Sequence, residues 1–180
     1  MENLLLRPLK QEDAAAFEAA FAAQGWNKPR EQFEQYYREQ QCGARSVVVA
    51  EQNGAPVGYI TVLPHKDTGP FAGNGWPELS DFNVLEAFRR KGIGTRLMDE
   101  AERIAFAQSS VITIGVGLHS GYGTAQRMYV RRGYVPDGSG VWYRDKPLAK
   151  YAPCCNDDDL VLYFSKSRPL AFQTADGYNK

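Results

Sequence analysis

The chain has 180 residues, 43% hydrophobic and 23% charged, with 21 Lys and Arg balancing 21 Asp and Glu. That length suits one domain that buries a core without disulfide or metal staples. Zero net charge argues against a general nucleic-acid or membrane-surface binder, which needs excess positive charge, and leaves self-association as a homodimer open.

In chain order, Leu4-Leu5-Leu6-Arg7-Pro8-Leu9 reads as a first strand ended by proline. From Gln11 to about Gln24, Phe17, Ala20 and Phe21 recur at helical spacing, and Gly25 closes the segment. Pro29 opens a second helix with Phe33, Tyr36 and Tyr37 on one face. Two β-branched runs, 46–51 and 57–62, flank Asn53-Gly54, which is a hairpin signal. His65 to Pro77 is rich in Gly and Pro and reads as a loop, and Leu79 to Val84 as the next strand.

A helix then runs from Gly92 to about Gln108, with Ile93, Leu97, Met98, Ala101, Ile104 and Ala105 as its core stripe. Val111 to Val116 is another strand. A loop from His119 to Gly123 leads into a helix carrying Ala125, Met128 and Tyr129, which Gly133 stops before Tyr134-Val135. Pro136 to Asp159 reads as irregular, with a short strand at Val141-Trp142-Tyr143, and Leu160 to Phe164 as the last strand. The order implies an α+β fold: a mixed sheet of six or seven strands with about four helices, in one domain over 1–165. A weakly patterned tail, 166–180, is expected to be partly disordered.

No run approaches the roughly 20 apolar residues of a membrane span, so no membrane partner is expected. The start, Met-Glu-Asn, has neither the basic region nor the apolar core of a signal peptide. Cys42, Cys154 and Cys155 are odd in number and lack zinc-site spacing. These features point to a cytoplasmic protein with free thiols and no metal. Cys154-Cys155 beside Asp157-Asp158-Asp159 does not alternate as a metal loop would, and reads as a solvated loop. His65 and His119 fall in loops and read as surface or satisfied histidines rather than catalysts.

The most informative stretch is Arg89-Arg90-Lys91-Gly92-Ile93-Gly94-Thr95, between an apolar strand and a periodic helix. It places backbone N–H groups and three cations at the positive end of a helix dipole, an arrangement suited to a polyphosphate. A dinucleotide fingerprint fails because Leu97 stands where the third glycine should be, and no Walker loop is present. Taken alone, the turn is equally a plain helix entry.

In context, the sequence resembles the GNAT superfamily of acyl-CoA N-acyltransferases. The residues that carry the resemblance are the strand 79–84, then Arg89-x-x-Gly92-x-Gly94, the strand 111–116, and Tyr129 shortly before Gly133-Tyr134. The resemblance implies acetyl-CoA as co-substrate, with its pyrophosphate on the N–H groups of Arg89, Arg90, Lys91, Gly92, Ile93, Gly94 and Thr95. It also implies that the strand holding Phe82, Asn83 and Val84 splays from 111–116 and presents its backbone to the pantetheine arm. Tyr129 matches the tyrosine that meets the departing sulfur, with simple core packing as the alternative. Glu78 matches a glutamate used as base by histone-acetylating members, and Asp81 is the second candidate. Trp76, Trp142 and Tyr143 are candidates to wall the acceptor pocket. One departure is Ser120-Gly121-Tyr122-Gly123-Thr124, where many members carry an asparagine.

The expected activity is acetyl transfer to an amine, of a small molecule in the first instance, by direct attack in a ternary complex. A protein N-terminus or lysine is the alternative acceptor. A non-catalytic acyl-CoA-binding domain is the alternative of a different class.

Overall fold

The computed structural model describes residues 4–168, in which four α-helices pack on one eight-stranded sheet. The strands are β1 (Leu4–Pro8), β2 (Ser46–Gln52), β3 (Ala55–Leu63), β4 (Glu78–Val84), β5 (Val111–Gly117), β6 (Val135–Tyr143), β7 (Lys146–Pro147) and β8 (Leu160–Ser167). The helices are α1 (Asp13–Ala23), α2 (Arg30–Gln41), α3 (Ile93–Gln108) and α4 (Gly123–Arg131). The order across the sheet is β1-β2-β3-β4-β5-β8-β6-β7. Neighbours run antiparallel except β4 and β5, which α3 joins as a parallel crossover.

Local chemistry accounts for the connections. Asn53 and Gly54 both take positive φ (52° and 81°), the combination a two-residue hairpin between β2 and β3 requires. Pro29 caps α2 in an extended conformation, where its missing N–H costs nothing.

Two cores result, one on each face of the sheet. On one, the α3 stripe of Ile93, Leu97, Met98, Ala101 and Ala105 meets Ile60, Val62, Leu79, Ile112 and Ile114. Leu97 and Met98 are fully buried, so cutting either to alanine costs about 2–5 kcal/mol. On the other, Phe17, Phe21 and Phe33 of α1 and α2 close on Tyr59, with Phe17 and Phe33 stacked 4.9 Å apart.

The sheet interior carries two irregularities. β4 and β5 pair only at Glu78–Thr113 and Leu79–Ile114, and beyond these they separate. The expected splay is therefore present. On its other edge β4 pairs Ser80 with Thr61 and Asn83 with Tyr59, so three steps on β4 match two on β3. This bulge centres on Asp81, whose φ of 41° lies in the left-handed region that Asp tolerates better than most residues.

The sheet has eight strands rather than six or seven. The extra strand structure comes from residues 135–147, where β6 is longer than the expected 141–143 and β7 follows it. Pro136, Gly138 and Gly140 break the alternation there, and the β6–β8 register jumps between Pro136 and Val141, which hid the strand in the sequence. β8 runs three residues past its expected end at Phe164, to Ser167, and Lys166 bonds Glu102 of α3 at 2.8 Å. The rest of the expected tail, 169–180, lies outside the described residues.

Candidate active site

After β4 the chain makes a 3-10 turn, Glu86–Phe88, and then turns sharply at Arg90 (φ 58°) and Gly92 (φ 80°) before α3 begins. No side chain caps α3. Among the described residues, the backbone N–H groups of 90–95 reach no acceptor, and the first to return is Arg96 N, to Gly92 O at 3.2 Å. Orphan donors at a helix start form an anion site. A Cβ on Gly92 would meet nothing within 4 Å, so that glycine serves the left-handed conformation and leaves the approach open. Gly94 serves packing instead: a Cβ there would lie 3.2 Å from the Phe82 ring.

The three cations of the turn are not equivalent. Arg89 Nε donates to Val84 O at 3.0 Å, and its guanidinium lies 5.1 Å from the Trp26 ring centroid, so Arg89 braces the end of β4. Arg90 and Lys91 are exposed. A groove of about 540 Å³ continues from the turn along α4, lined by Thr95, Thr124, Arg127, Met128, Arg131 and Arg132. Arg132 is tied to Asp99 and Glu102. Arg127 and Arg131, one helical turn apart, form no ion pair among the described residues. The pair was missed in the sequence, although its i, i+4 spacing was the signal. Uncapped donors, an open glycine and this basic groove fit the phosphate-bearing end of an acyl-CoA.

Tyr129 of α4 is 4% exposed, with its ring 5.8 Å from Tyr134, so the core role holds for the ring. Its hydroxyl donates to no described residue, and it is not among the sealed, unpaired polar atoms, as the Tyr134 hydroxyl is. Burial, then the nearby Tyr122, raises the proton affinity of the phenol, so it stays protonated.

Beside it is a cluster that the sequence reading had dispersed over a loop. The Tyr122 ring packs against Gly117 at the end of β5, where a Cβ would approach the ring within 2.4 Å. Its hydroxyl donates to Asp158 Oδ1 at 2.9 Å, and His119 Nε2 lies 3.0 Å from the same oxygen. His119 Nδ1 accepts from Gly121 N–H at 3.1 Å, which leaves the proton on Nε2 to face Asp158. Hydrogen bonds from His119 and Tyr122 hold Asp158 below the usual carboxylate range. Asp158 thus binds its loop to the end of β5, and His119 is the satisfied histidine of the two alternatives. The sequence signal was Tyr122 itself, standing in the stretch that departs from the family pattern.

The bulge in β4 decides what faces α1 and α2. With regular alternation Glu78 and Asp81, three apart, would point to opposite faces. The extra residue puts Asp81 with Tyr59 and Tyr36 on the face of α1 and α2, and leaves Phe82 and Val84 with Leu79 on the α3 side. Asp81 accepts from Lys28 Nζ (2.6 Å), Asn83 Nδ2 (2.8 Å), Gln32 Nε2 (2.8 Å), Tyr36 Oη (2.9 Å) and Tyr59 Oη (2.7 Å). Burial and the charge of Asp81 keep both tyrosines protonated as donors. A carboxylate offers about four lone-pair sites, so this one is filled.

Glu78 differs. It is 6% exposed and meets Lys66 Nζ at 3.5 Å, while Lys66 is shared with Asp145 and with the Tyr163 hydroxyl, each at 3.2 Å. Burial raises its proton affinity above the ordinary glutamate value, and Lys66 opposes this only in part. Trp142 packs on Tyr163 (5.8 Å), and Trp76 on Phe71 (5.7 Å), which in turn meets Tyr163 (6.3 Å). Both tryptophans therefore gather around the Lys66–Glu78 end, whereas Tyr143 turns to Asp157 at 3.4 Å. His65 reaches only Asp67, at 3.9 Å. Among the described residues, no group of three His, Cys, Asp or Glu could hold a metal, and no helix is long and apolar enough to cross a membrane.

Residues 10–134 match the acetyltransferase (GNAT) family. No curated protein sequence matches the chain. Similar solved structures include an N-acetyltransferase from Staphylococcus aureus Mu50, 18% identical, covering 92% of this chain and 98% of that one with a TM-score of 0.67. A ribosomal-protein-alanine N-acetyltransferase from Brucella melitensis is 22% identical over 91% and 99% of the two chains, with a TM-score of 0.66. A Salmonella typhimurium protein solved with its cofactor acetyl-CoA is 18% identical over 92% and 94%, with a TM-score of 0.65. At these identities the likenesses show the fold. The family match spans well over half of the chain and includes the splayed strand and the uncapped turn: the chain belongs to the GNAT acetyltransferase family and is an acyltransferase.

Proposed function

We propose that the protein transfers the acetyl group of acetyl-CoA to the amine of a small molecule, by direct attack within a ternary complex. The observation that carries this reading is the placement of a buried carboxylate of raised proton affinity, Glu78, at the point where β4 leaves β5. When bound, acetyl-CoA supplies an acyl group activated as a thioester. The N–H groups of residues 90–95, with Arg90 and Lys91, hold its pyrophosphate. The freed edge of β4 at Phe82, Asn83 and Val84 offers backbone donors and acceptors to its amide arm and acyl oxygen.

A primary amine, with a pKa of about 10, arrives protonated, so a base must take its proton before it can attack. Glu78 suits that task. It carries no full set of donors, and its raised proton affinity brings it nearer to neutrality, where a base is most effective. Asp81 suits it poorly, because accepting a proton there requires displacing a hydrogen bond. The Tyr129 hydroxyl stays protonated and acts as a hydrogen-bond donor to the leaving sulfur. Three exposed free cysteines, Cys42, Cys154 and Cys155, accord with a cytoplasmic setting.

The test is release of free CoA thiol from acetyl-CoA against a panel of amines, with dead-end inhibition patterns to separate a ternary complex from an acyl-enzyme. Tight cofactor binding with no turnover on any amine would replace this reading with that of an acyl-CoA-binding domain.

A further inference from the structure

Asp81 is the most heavily coordinated side chain described on the face of α1 and α2, and its five donors are not alike. Four of them, from Asn83, Gln32, Tyr36 and Tyr59, are neutral, and they fix the carboxylate without help. The fifth is an ammonium. Lys28 reaches in from the segment between α1 and α2, places Nζ 2.6 Å from Asp81 Oδ1, and lies 6.0 Å from the Tyr59 ring centroid. The Tyr59 ring and a carboxylate oxygen, held in place by the two phenol hydroxyls on the other oxygen, form an ammonium receptor. The Lys28 side chain is 22% exposed, so it enters the receptor from solvent. Its positive charge also acts on Asp158, a second carboxylate in this corner of the molecule. With Lys28 in place, Asp81 and Asp158 together still leave this corner one negative charge in excess.

We propose that the Asp81 receptor is the recognition subsite for a cationic group of the acceptor, and that Lys28 is a resident ammonium which the acceptor displaces. The proposal rests on the transferase reading for its word acceptor, but not for the binding itself. It also specifies the substrate class. Asp81 has its lone-pair sites filled by five donors and holds an ammonium as an ion pair, whereas Glu78, on the same strand, has room to take a proton. Their positions lie up to roughly 10 Å apart along β4. The fitting acceptor is therefore a flexible diamine or polyamine. One nitrogen stays charged on Asp81 and the other reacts near Glu78.

The decisive experiment uses the protein without cofactor, so it does not depend on turnover. Lys28→Ala removes the resident ammonium and leaves Asp81 uncompensated, which should lower Tm. Millimolar n-butylammonium chloride should then restore most of the loss, whereas equimolar sodium chloride should not, and wild type should be nearly unaffected. Calorimetry with 1,4-diaminobutane should show tighter binding to Lys28→Ala than to wild type. If Lys28 holds the site in roughly nine molecules of ten, the gain is about tenfold. Asp81→Asn in the Lys28→Ala background should abolish both effects, with Tyr36→Phe as a milder second variant that should weaken them. Absence of butylammonium rescue, or rescue that survives Asp81→Asn, would overturn the proposal and make Lys28–Asp81 a structural tie. Rescue and diamine binding in a protein that turns over no amine would uphold the subsite and sink the transferase reading alone.

Discussion

The two halves of the site are built on opposite principles. At the start of α3 there are backbone donors without acceptors, the N–H groups of 90–95, beside cations that mostly face solvent. On the α1–α2 face of β4 there is a carboxylate with a surplus of donors, Asp81, closed in by side chains from α2, β3, β4 and the α1–α2 segment. The first half is an unfinished anion site that a phosphate completes. The second is a finished cation site with its own ammonium in place. An incomplete site needs only a ligand to fill it, whereas a filled one imposes competition on whatever enters, and competition is a source of specificity.

The contrast is broken most severely at the glycine turn. Gly92→Glu should abolish acetyl-CoA binding, because the new side chain projects into the open approach and sets a carboxylate against the pyrophosphate. It also forces a side chain into φ 80°. Calorimetry on a variant shown to be folded checks this, and unchanged affinity would remove the turn from the site. Next comes Glu78→Gln, which keeps shape and removes the base: kcat should fall about 10²–10⁴-fold while acetyl-CoA affinity is retained. The pH profile carries the sign. Burial raises Glu78, so activity should rise with pH through an inflection above the ordinary glutamate value, and that limb should vanish in the glutamine variant.

The same contrast explains what could be read from the sequence. The turn is local: Arg89, Gly92 and Gly94 lie within six residues, and the glycine spacing reports backbone conformation directly. The splay was legible only through the family resemblance. The Asp81 receptor was not legible, because four of its five donors lie 53, 49, 45 and 22 residues away and are brought together by a bulge that no residue type announces. Strand β6 was shortened in the reading for a related reason. Its Pro and Gly residues look like loop chemistry, and only pairing with β8 makes it a strand.

A subtler probe sits between the two halves, at Tyr129. Its phenol is raised by burial, so it stays above the thiol range near 8.5 and serves as a donor rather than handing over its proton completely. Tyr129→Phe should therefore lower kcat by only about tenfold, the worth of one hydrogen bond made in the transition state, with little change in acetyl-CoA affinity. A wild-type rate would return Tyr129 wholly to the core in which its ring lies.

The smallest expected effect is at Asp158, a well-exposed carboxylate on which the charge of Lys28 acts. Its side chain is 78% exposed, so its ties to His119 and Tyr122 together should be worth less than about 1 kcal/mol to the fold. Its folded-state proton affinity is lowered, so whatever stability it adds is present above the ordinary aspartate value near 3.9 and is lost as pH falls through the lower folded value. Asp158→Asn should then reduce Tm slightly at pH 7, and by less as pH falls below the ordinary aspartate value. Its effect on a dicationic acceptor should be larger than its effect on stability. Removing one of two carboxylates from the approach takes away the excess negative charge there, so KM should rise at low salt while kcat holds. The difference from wild type should shrink as ionic strength shortens the reach of the charge, to about 8 Å at physiological salt. A rise in KM independent of salt would mean that Asp158 touches the acceptor directly instead of steering it.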